Sequence, residues 1–313
     1  MSVHMTSSTW FKEEETPDQT MAMRLKSMTF DGQSDFQRVQ VIETFSFGKT
    51  LVLDGKTQSA AGDEAIYHES LVHPSLLKHP NPKRIFIGGG GELATAREVL
   101  RHKSVETVVM VDLDKSVVDT CRQWLPEWNC GSTEDPRLEL IYGDAKLYLE
   151  EYPADAPRFD VIIMDICDPI EGGPGVHLYM REFYDLLKTR LGAGGIVLTQ
   201  AGPADVFNHK ECFTAIHKTM EQSYAHVSGY SVSIPSFGSA WGFLMAYDDE
   251  TVAPKNESIE VIDKKVSERL SRLPLKHYDG ESHVGMFHLQ KVIRDGIAKE
   301  TRIITKETPV FMY

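Results

Sequence analysis

Acidic side chains stand at the ends of four successive apolar runs in this chain. Glu92 follows Ile85-Phe86-Ile87 across four glycines, Gly88 to Gly91. Asp112 ends the run Val108 to Val111, Asp144 lies in YGDA, and Asp165 and Asp168 lie in DICDP. A single acid at the start of a loop commonly serves as a helix cap or a solvated turn. Acids at four consecutive strand ends converge on one crevice, because open α/β sheets bind ligands outside the carboxyl ends of their strands. Carboxylates gathered in this way repel one another unless a cation resides among them. The chemistry they suit is the holding of positively charged small molecules.

The stretch from Arg84 to Asp112 must position these groups. It reads as a strand, a glycine turn, a helix with Ala94, Ala96, Val99 and Leu100 on one face, and a second strand ending in Asp112. Gly89-x-Gly91-x-x-Ala94 with an acid about 20 residues on is a nucleotide-site pattern, in which the acid takes the ribose hydroxyls. Glu92 narrows the choice of nucleotide. A pyrophosphate on this helix N-terminus would be repelled by it, and so would the carboxylate of S-adenosylmethionine. A decarboxylated donor ending in a bare ammonium would be attracted. The plainer role for Glu92 is to complement the helix dipole, worth ~0.3–1 kcal/mol.

Strand-like and helix-like segments alternate from Arg84 to about Asp248. Strands are predicted at 84–88, 107–112, 137–142, 159–165, 195–200, 227–233 and 241–247, with helices near 93–102, 115–123, 179–190 and 209–223. This alternation predicts a parallel, doubly wound sheet closed by an antiparallel edge strand. Ahead of it, MRLKSMTF, FQRVQVIET and KTLVLDG, with turns at Asp31-Gly32 and Asp54-Gly55, predict a small antiparallel β domain. Ala65 to Leu77 reads as helix, and the domain boundary is placed near residue 75, giving 1–74 and 75–313. Residues 1–20 look poorly ordered apart from Trp10-Phe11. The last ~65 residues mix one helix, Ile259 to Leu270, with an irregular tail.

The composition is that of a soluble globular protein, 41% apolar and 25% charged. No apolar run approaches the ~18 residues of a membrane span, and the start MSVHMTSSTWFKEEE resembles no signal or transit segment. The four cysteines have neither disulfide nor zinc spacing, so reduced thiols in the cytoplasm are expected. The histidine and cysteine spacings suggest no metal site. A net charge of −13 argues against nucleic acid and favours cationic ligands.

The run LDGKTQSAAGDEAIYHESLVHPSLLKHPNPKRIFIGGGGELATAREVLRH, followed by VDLD, GDA and DICDP, resembles the polyamine aminopropyltransferases, the spermidine and spermine synthases. The likeness covers nearly the whole chain. It resembles thermospermine synthases in particular in GGGE, DPIEGGP, TQAGPA, IPSF-x-x-x-WGF and KETRIITKET. Two positions depart from related enzymes: Leu93 stands where the family has glycine, and Ile234 where spermidine synthases usually have tyrosine.

The resemblance implies an α/β fold, a Rossmann-like, methyltransferase-like doubly wound sheet with a small N-terminal antiparallel β domain. It implies transfer of the aminopropyl group of decarboxylated S-adenosylmethionine to spermidine, giving thermospermine and 5′-methylthioadenosine. Gln37, Asp112, Asp144 and Ala145 would hold the donor's ribose and adenine, Pro174 would lie near the adenine in a lid that includes Gly172, Gly173 and Gly175, and Glu92 would take the ammonium. Asp165 would accept the proton, with Tyr67 and Asp168 orienting the amine. His68, Gln200, Trp10 and Ile234 would line the acceptor side. No metal or redox cofactor is implied, and a homodimer or homotetramer is expected. A spermidine or spermine synthase is the first alternative. A methyltransferase, for which Glu92→Gln would strengthen binding of the carboxylate-bearing donor, and a non-catalytic polyamine-binding protein, indifferent to Asp165→Asn, stay open.

Overall fold

The computed structural model describes residues 9–272 and 274–313. The first five strands are β1 Trp10–Thr16, β2 Gln19–Gln33, β3 Arg38–Thr44, β4 Gly48–Leu53 and β5 Lys56–Ala60, an antiparallel meander in chain order. Then come α1 Glu64–Lys78, β6 Arg84–Gly89, α2 Ala94–Leu100, β7 Thr107–Asp112, α3 Lys115–Trp124, α4 Pro126–Asn129, β8 Leu138–Tyr142, α5 Ala145–Glu151 and β9 Phe159–Asp165. The chain continues through α6 Arg181–Arg190, β10 Leu191–Pro203, α7 Phe213–Met220, β11 His226–Ile234, β12 Ser239–Tyr247, α8 Ile259–Arg269, α9 Gly280–Met286 and α10 Lys291–Lys299.

The second sheet has seven strands in the order β11-β12-β10-β9-β6-β7-β8. Strands β8, β7, β6, β9 and β10 run parallel; β12 pairs antiparallel with both β10 and β11, so the edge strand β11 runs in the direction of the parallel set. The doubly wound expectation therefore holds, with an antiparallel pair rather than a single edge strand. Its order reverses at β6/β9, so the mouth of the crevice opens where Gly88–Gly91 and Asp165 lie side by side. The parallel strands are apolar on both faces because helices cover both: Ile85, Ile87, Met110 and Ile163 pack in the cluster under α1 and α2, and Phe86, Val109, Ile162 and Met164 in that under α5 and α6.

Helix α1 is buried almost throughout and packs against the seven-stranded sheet and α2. Residue 75, at the expected boundary, lies inside it. Asp54 and Gly55, with φ of 48° and 82°, make the β4–β5 turn. Asp31-Gly32 is not a turn: β2 runs straight through it and the chain reverses at Ser34–Gln37, where Ser34 N donates to Gln37 O at 2.9 Å. The acid-rich start is also more regular than expected, since Glu13 and Glu14 pair in β1 with Met21 and Thr20. The irregular tail expectation fails too, for α9 and α10 bury Met286 and Ile293 against the core. Both helices are short, and their apolar stripes are too brief to stand out from the sequence alone. Among the described residues no helix is long and apolar enough to cross a membrane.

Candidate active site

The glycine turn and the end of β9 are built as one unit. Gly90 N donates to the Asp165 carbonyl at 2.8 Å. A Cβ on Gly89, whose φ is +80°, would lie 2.1 Å from that carbonyl, so only glycine fits. A Cβ on Gly91 would stand 3.0 Å from Asp112 Oδ2, which brings the two strand ends together. Leu93, a residue with a side chain, takes the left-handed conformation, with φ 71°. Its N–H closes the turn onto Gly90 O at 2.7 Å, and its side chain is fully buried.

Around this turn lies a cavity of about 410 Å³. Glu92, Asp112, Asp144, Asp165 and Asp168 all line it, as do Gln37, Tyr67, Ala145, Pro174 and Gln200. The N-terminal sheet supplies one wall through Leu51, Leu53, Thr57 and Gln58. The acids of the four strand ends thus converge on one space, as their positions predict.

Each acid has a distinct setting. Asp165 accepts hydrogen bonds from Tyr67 Oη at 2.7 Å and Thr95 Oγ1 at 2.6 Å. Burial and the neighbouring Glu92 raise it to about 6. Asp168, also raised to about 6 by burial, accepts from Gln200 Nε2 at 3.0 Å. Burial takes Asp112 to about 7, reinforced by repulsion from Glu92, although its Oδ1 accepts from Asp114 N at 2.8 Å. Asp144 does cap a helix, accepting from Lys146 N at 2.7 Å and Leu147 N at 3.1 Å. It lines the cavity as well.

Gln37 reaches the site through a partner: its Nε2 donates to Asp114 Oδ2 at 3.1 Å, and Ser34 Oγ donates to the same oxygen at 2.5 Å. The Gln200 amide is fully engaged. Its Nε2 also faces Ile166 O and Tyr179 Oη, and its Oε1 accepts from Gly202 N and Trp241 Nε1. It therefore orients Asp168 more than it offers free polar atoms.

Three expected site residues do not line the cavity. Trp10 is 52% exposed at the start of β1, where it pairs with Arg24. Ile234 is packed in the core at the end of β11. His68 is fully buried behind Glu92: its Nε2 lies 3.0 Å from Glu92 Oε1, and its Nδ1 lies 2.7 Å from Glu64 O and 3.0 Å from Glu64 Oε2. Conversely, Phe237 and Trp241 also line the cavity, Thr95 holds Asp165, and Asp114 holds Gln37. The motifs VDLD and WGF contain Asp114 and Trp241, but nothing in spacing marks Thr95.

Potential ligand atoms of His68, Glu92 and Asp165 lie within 4.8 Å of one another, a grouping that positions 68, 92 and 165 do not reveal in sequence. Glu92 Oε1 faces the His68 ring, and Asp165 accepts from two hydroxyls.

Comparison with known proteins identifies the family of the chain. Residues 64–256 match the model of the spermine/spermidine synthase domain, and residues 9–60 that of the spermidine synthase tetramerisation domain. A thermospermine synthase of Arabidopsis thaliana is 42% identical over 305 residues, 97% of this chain and 87% of its own. A polyamine aminopropyltransferase of Aeropyrum pernix is 40% identical over 97% of this chain and 95% of its own. A crystal structure of spermidine synthase in complex with the transition-state analogue AdoDATO superposes with a TM-score of 0.84 at 29% identity, over 94% of this chain and 96% of that one. In fold and sequence the chain is therefore a member of the spermine/spermidine synthase family, an aminopropyltransferase.

Proposed function

We propose that the protein transfers the aminopropyl group of decarboxylated S-adenosylmethionine to spermidine, forming thermospermine and 5′-methylthioadenosine. The observation that carries the transfer reading is Asp165. It is a buried carboxylate held by Tyr67 and Thr95 at the sheet's switch point, beside Glu92 and within reach of a nucleoside held by Asp112.

The donor's ribose hydroxyls fall to Asp112 and to Gln37 with Asp114, its adenine to Asp144, Ala145 and Pro174, and its terminal ammonium to Glu92. The acceptor nitrogen attacks the propyl carbon next to the sulfonium. A C–N bond forms, the C–S bond breaks, and its electron pair stays on sulfur as a neutral thioether. The leaving group needs no acid, and the step needs neither metal nor redox cofactor. The difficulty lies in the nucleophile, because an alkyl ammonium of pKa about 10.4 is roughly three units from deprotonation at pH 7, about 4–5 kcal/mol. Asp165 accepts that proton, and confinement beside the propyl carbon supplies the positioning.

A triamine acceptor is supported by the space beyond Asp168. A second, smaller cavity of about 40 Å³ shares Thr57, Asp168, Phe237 and Trp241 with the first and is lined by Glu13, Glu15 and Glu211. These carboxylates, with Asp168, outnumber Lys56, which also lines the cavity, and suit an amine with more than two charges. The choice of thermospermine over spermine rests on the Arabidopsis relative. Incubation with decarboxylated donor and either putrescine or spermidine, followed by separation of spermine from thermospermine, tests it. Thermospermine from spermidine, with little turnover of putrescine, is expected; spermine as the product, or a preference for putrescine, refutes it. We also infer a homodimer or homotetramer formed through the N-terminal sheet, whose Met28, Phe36 and Phe45 are exposed.

A further inference from the structure

We propose that His68 is a positioning residue, a buried imidazolium clamped between Glu64 and Glu92 that aims the Glu92 carboxylate at the donor's terminal ammonium and touches neither substrate. This rests on the aminopropyl-transfer reading above.

The geometry of the ring leads to this role. Both of its nitrogens face oxygen acceptors, Nδ1 the carbonyl and carboxylate of Glu64, Nε2 the carboxylate of Glu92. Ionised carboxylates only accept hydrogen bonds, so a ring held on both sides by acceptors carries both protons. Glu64 is held as the anion from behind: Arg97 Nη2 lies 2.8 Å from its Oε2. Burial opposes the charge on Glu64, but His68 and Arg97 bring it down to about 2. Burial likewise opposes the charge on His68, and the hydrogen bonds of Glu64 and Glu92 take it up to about 10. The other charged group that faces the ring is Asp165, which the imidazolium helps to ionise.

Two consequences follow for the site. The bond to His68 is the only hydrogen bond of the Glu92 side chain among the described residues, so His68 alone sets its direction. Glu92, Asp112 and Asp165 also face one cavity, and an internal cation lets these carboxylates coexist before any substrate arrives. Arg97, Glu64, His68 and Glu92 form a line of alternating charge from α2 through α1 to the cavity wall.

The test separates the aminopropyl end of the donor from its nucleoside end. Calorimetry on His68→Gln and His68→Asn should show decarboxylated S-adenosylmethionine bound at least tenfold more weakly. Methylthioadenosine, which lacks the ammonium, should keep its affinity within about threefold, and so reports an intact fold. KM for the donor should rise more than kcat falls, with Gln, which can still reach Glu92, retaining more than Asn. Equal losses for both ligands, or no loss for either, overturn the proposal while leaving transfer by the wild-type enzyme standing; a wild type without transferase activity refutes the underlying reading instead. Long-range proton–nitrogen NMR on the ¹⁵N-histidine-labelled wild type needs no variant. It should show both His68 ring nitrogens protonated from pH 6 to 9, and a neutral single tautomer at pH 7 is the contrary result.

Discussion

Asp165 shows how a few neighbours assign a role to one residue type among many. Of the acids in the cavity it alone accepts from two side-chain hydroxyls, and it is buried. Asp165→Asn preserves shape and an acceptor oxygen for one of the two hydroxyls but removes the proton acceptor. Turnover should fall by at least ~100-fold, with methylthioadenosine binding retained by calorimetry; an unchanged rate would remove the mechanism. The wild-type pH profile belongs to the same residues. Asp165 and Asp168 stand near 6 and Asp112 near 7, so these carboxylates take up protons as pH falls. The kcat/KM of the free enzyme should therefore decline below pH 7 with more than one proton involved, a steepness that initial-rate measurements read directly.

The strand–turn–helix unit of β6 and α2 is where local chemistry and packing pull against each other. Leu93 sits at the N-terminus of α2 in the left-handed conformation, which costs an L-residue about 1–2 kcal/mol. Glycine would relieve that strain, yet the Leu93 side chain is wholly buried among Ala96, Val99 and Met110. Truncating a buried leucine costs about 2–5 kcal/mol. The packing loss exceeds the strain, so Leu93→Gly should lower stability by about 1–3 kcal/mol, read as a lower urea midpoint. A stabilised variant would mean that the left-handed turn stores more strain than packing returns. At this position the buried side chain compensates for the strained backbone.

Across the whole molecule, net charge and buried charge act in opposite directions. Asp112, Asp165 and Asp168 have folded values raised to about 6–7, above the ordinary carboxylate range. Groups raised in this way favour the folded state most when protonated, and that contribution is lost as pH rises through 6–7. Glu64 and Glu98, both lowered to about 2, contribute above their unfolded values near 4.5 and lose this only in strong acid. His68, raised to about 10, contributes fully below its unfolded value near 6.5 and loses this progressively as pH rises from there to about 10. Between pH 8 and 5.5 Asp112, Asp165, Asp168, Glu15 and His68 all favour the folded state as pH falls, against buried histidines such as His102 that burial lowers, and the free protein should melt at a higher temperature at pH 5.5 than at pH 8. Saturating decarboxylated donor should flatten that dependence, since its charge stabilises the ionised carboxylates; scanning calorimetry with and without donor checks both.

The linear order of residues carried the strand–helix alternation, the glycine turn and the placement of an acid at each strand end. These are local matters of period, backbone freedom and strand length, and Gly89, Asp112 and Asp165 stand where such reasoning puts them. It carried less of the N-terminal sheet, because Asp31-Gly32 has turn composition yet is held extended by its pairing with Val39 and Gln40. Packing alone determined which neighbours each acid meets. Tyr67 reaches Asp165 from 98 positions away because α1 lies against the sheet. The same helix turns the adjacent His68 inward to a site with no solvent, between two carboxylates. A histidine that touches a ligand and one that holds the residue touching it have the same letter in the sequence. Only the direction in which a buried helix face points distinguishes them, and that depends on contacts between residues far apart in the chain.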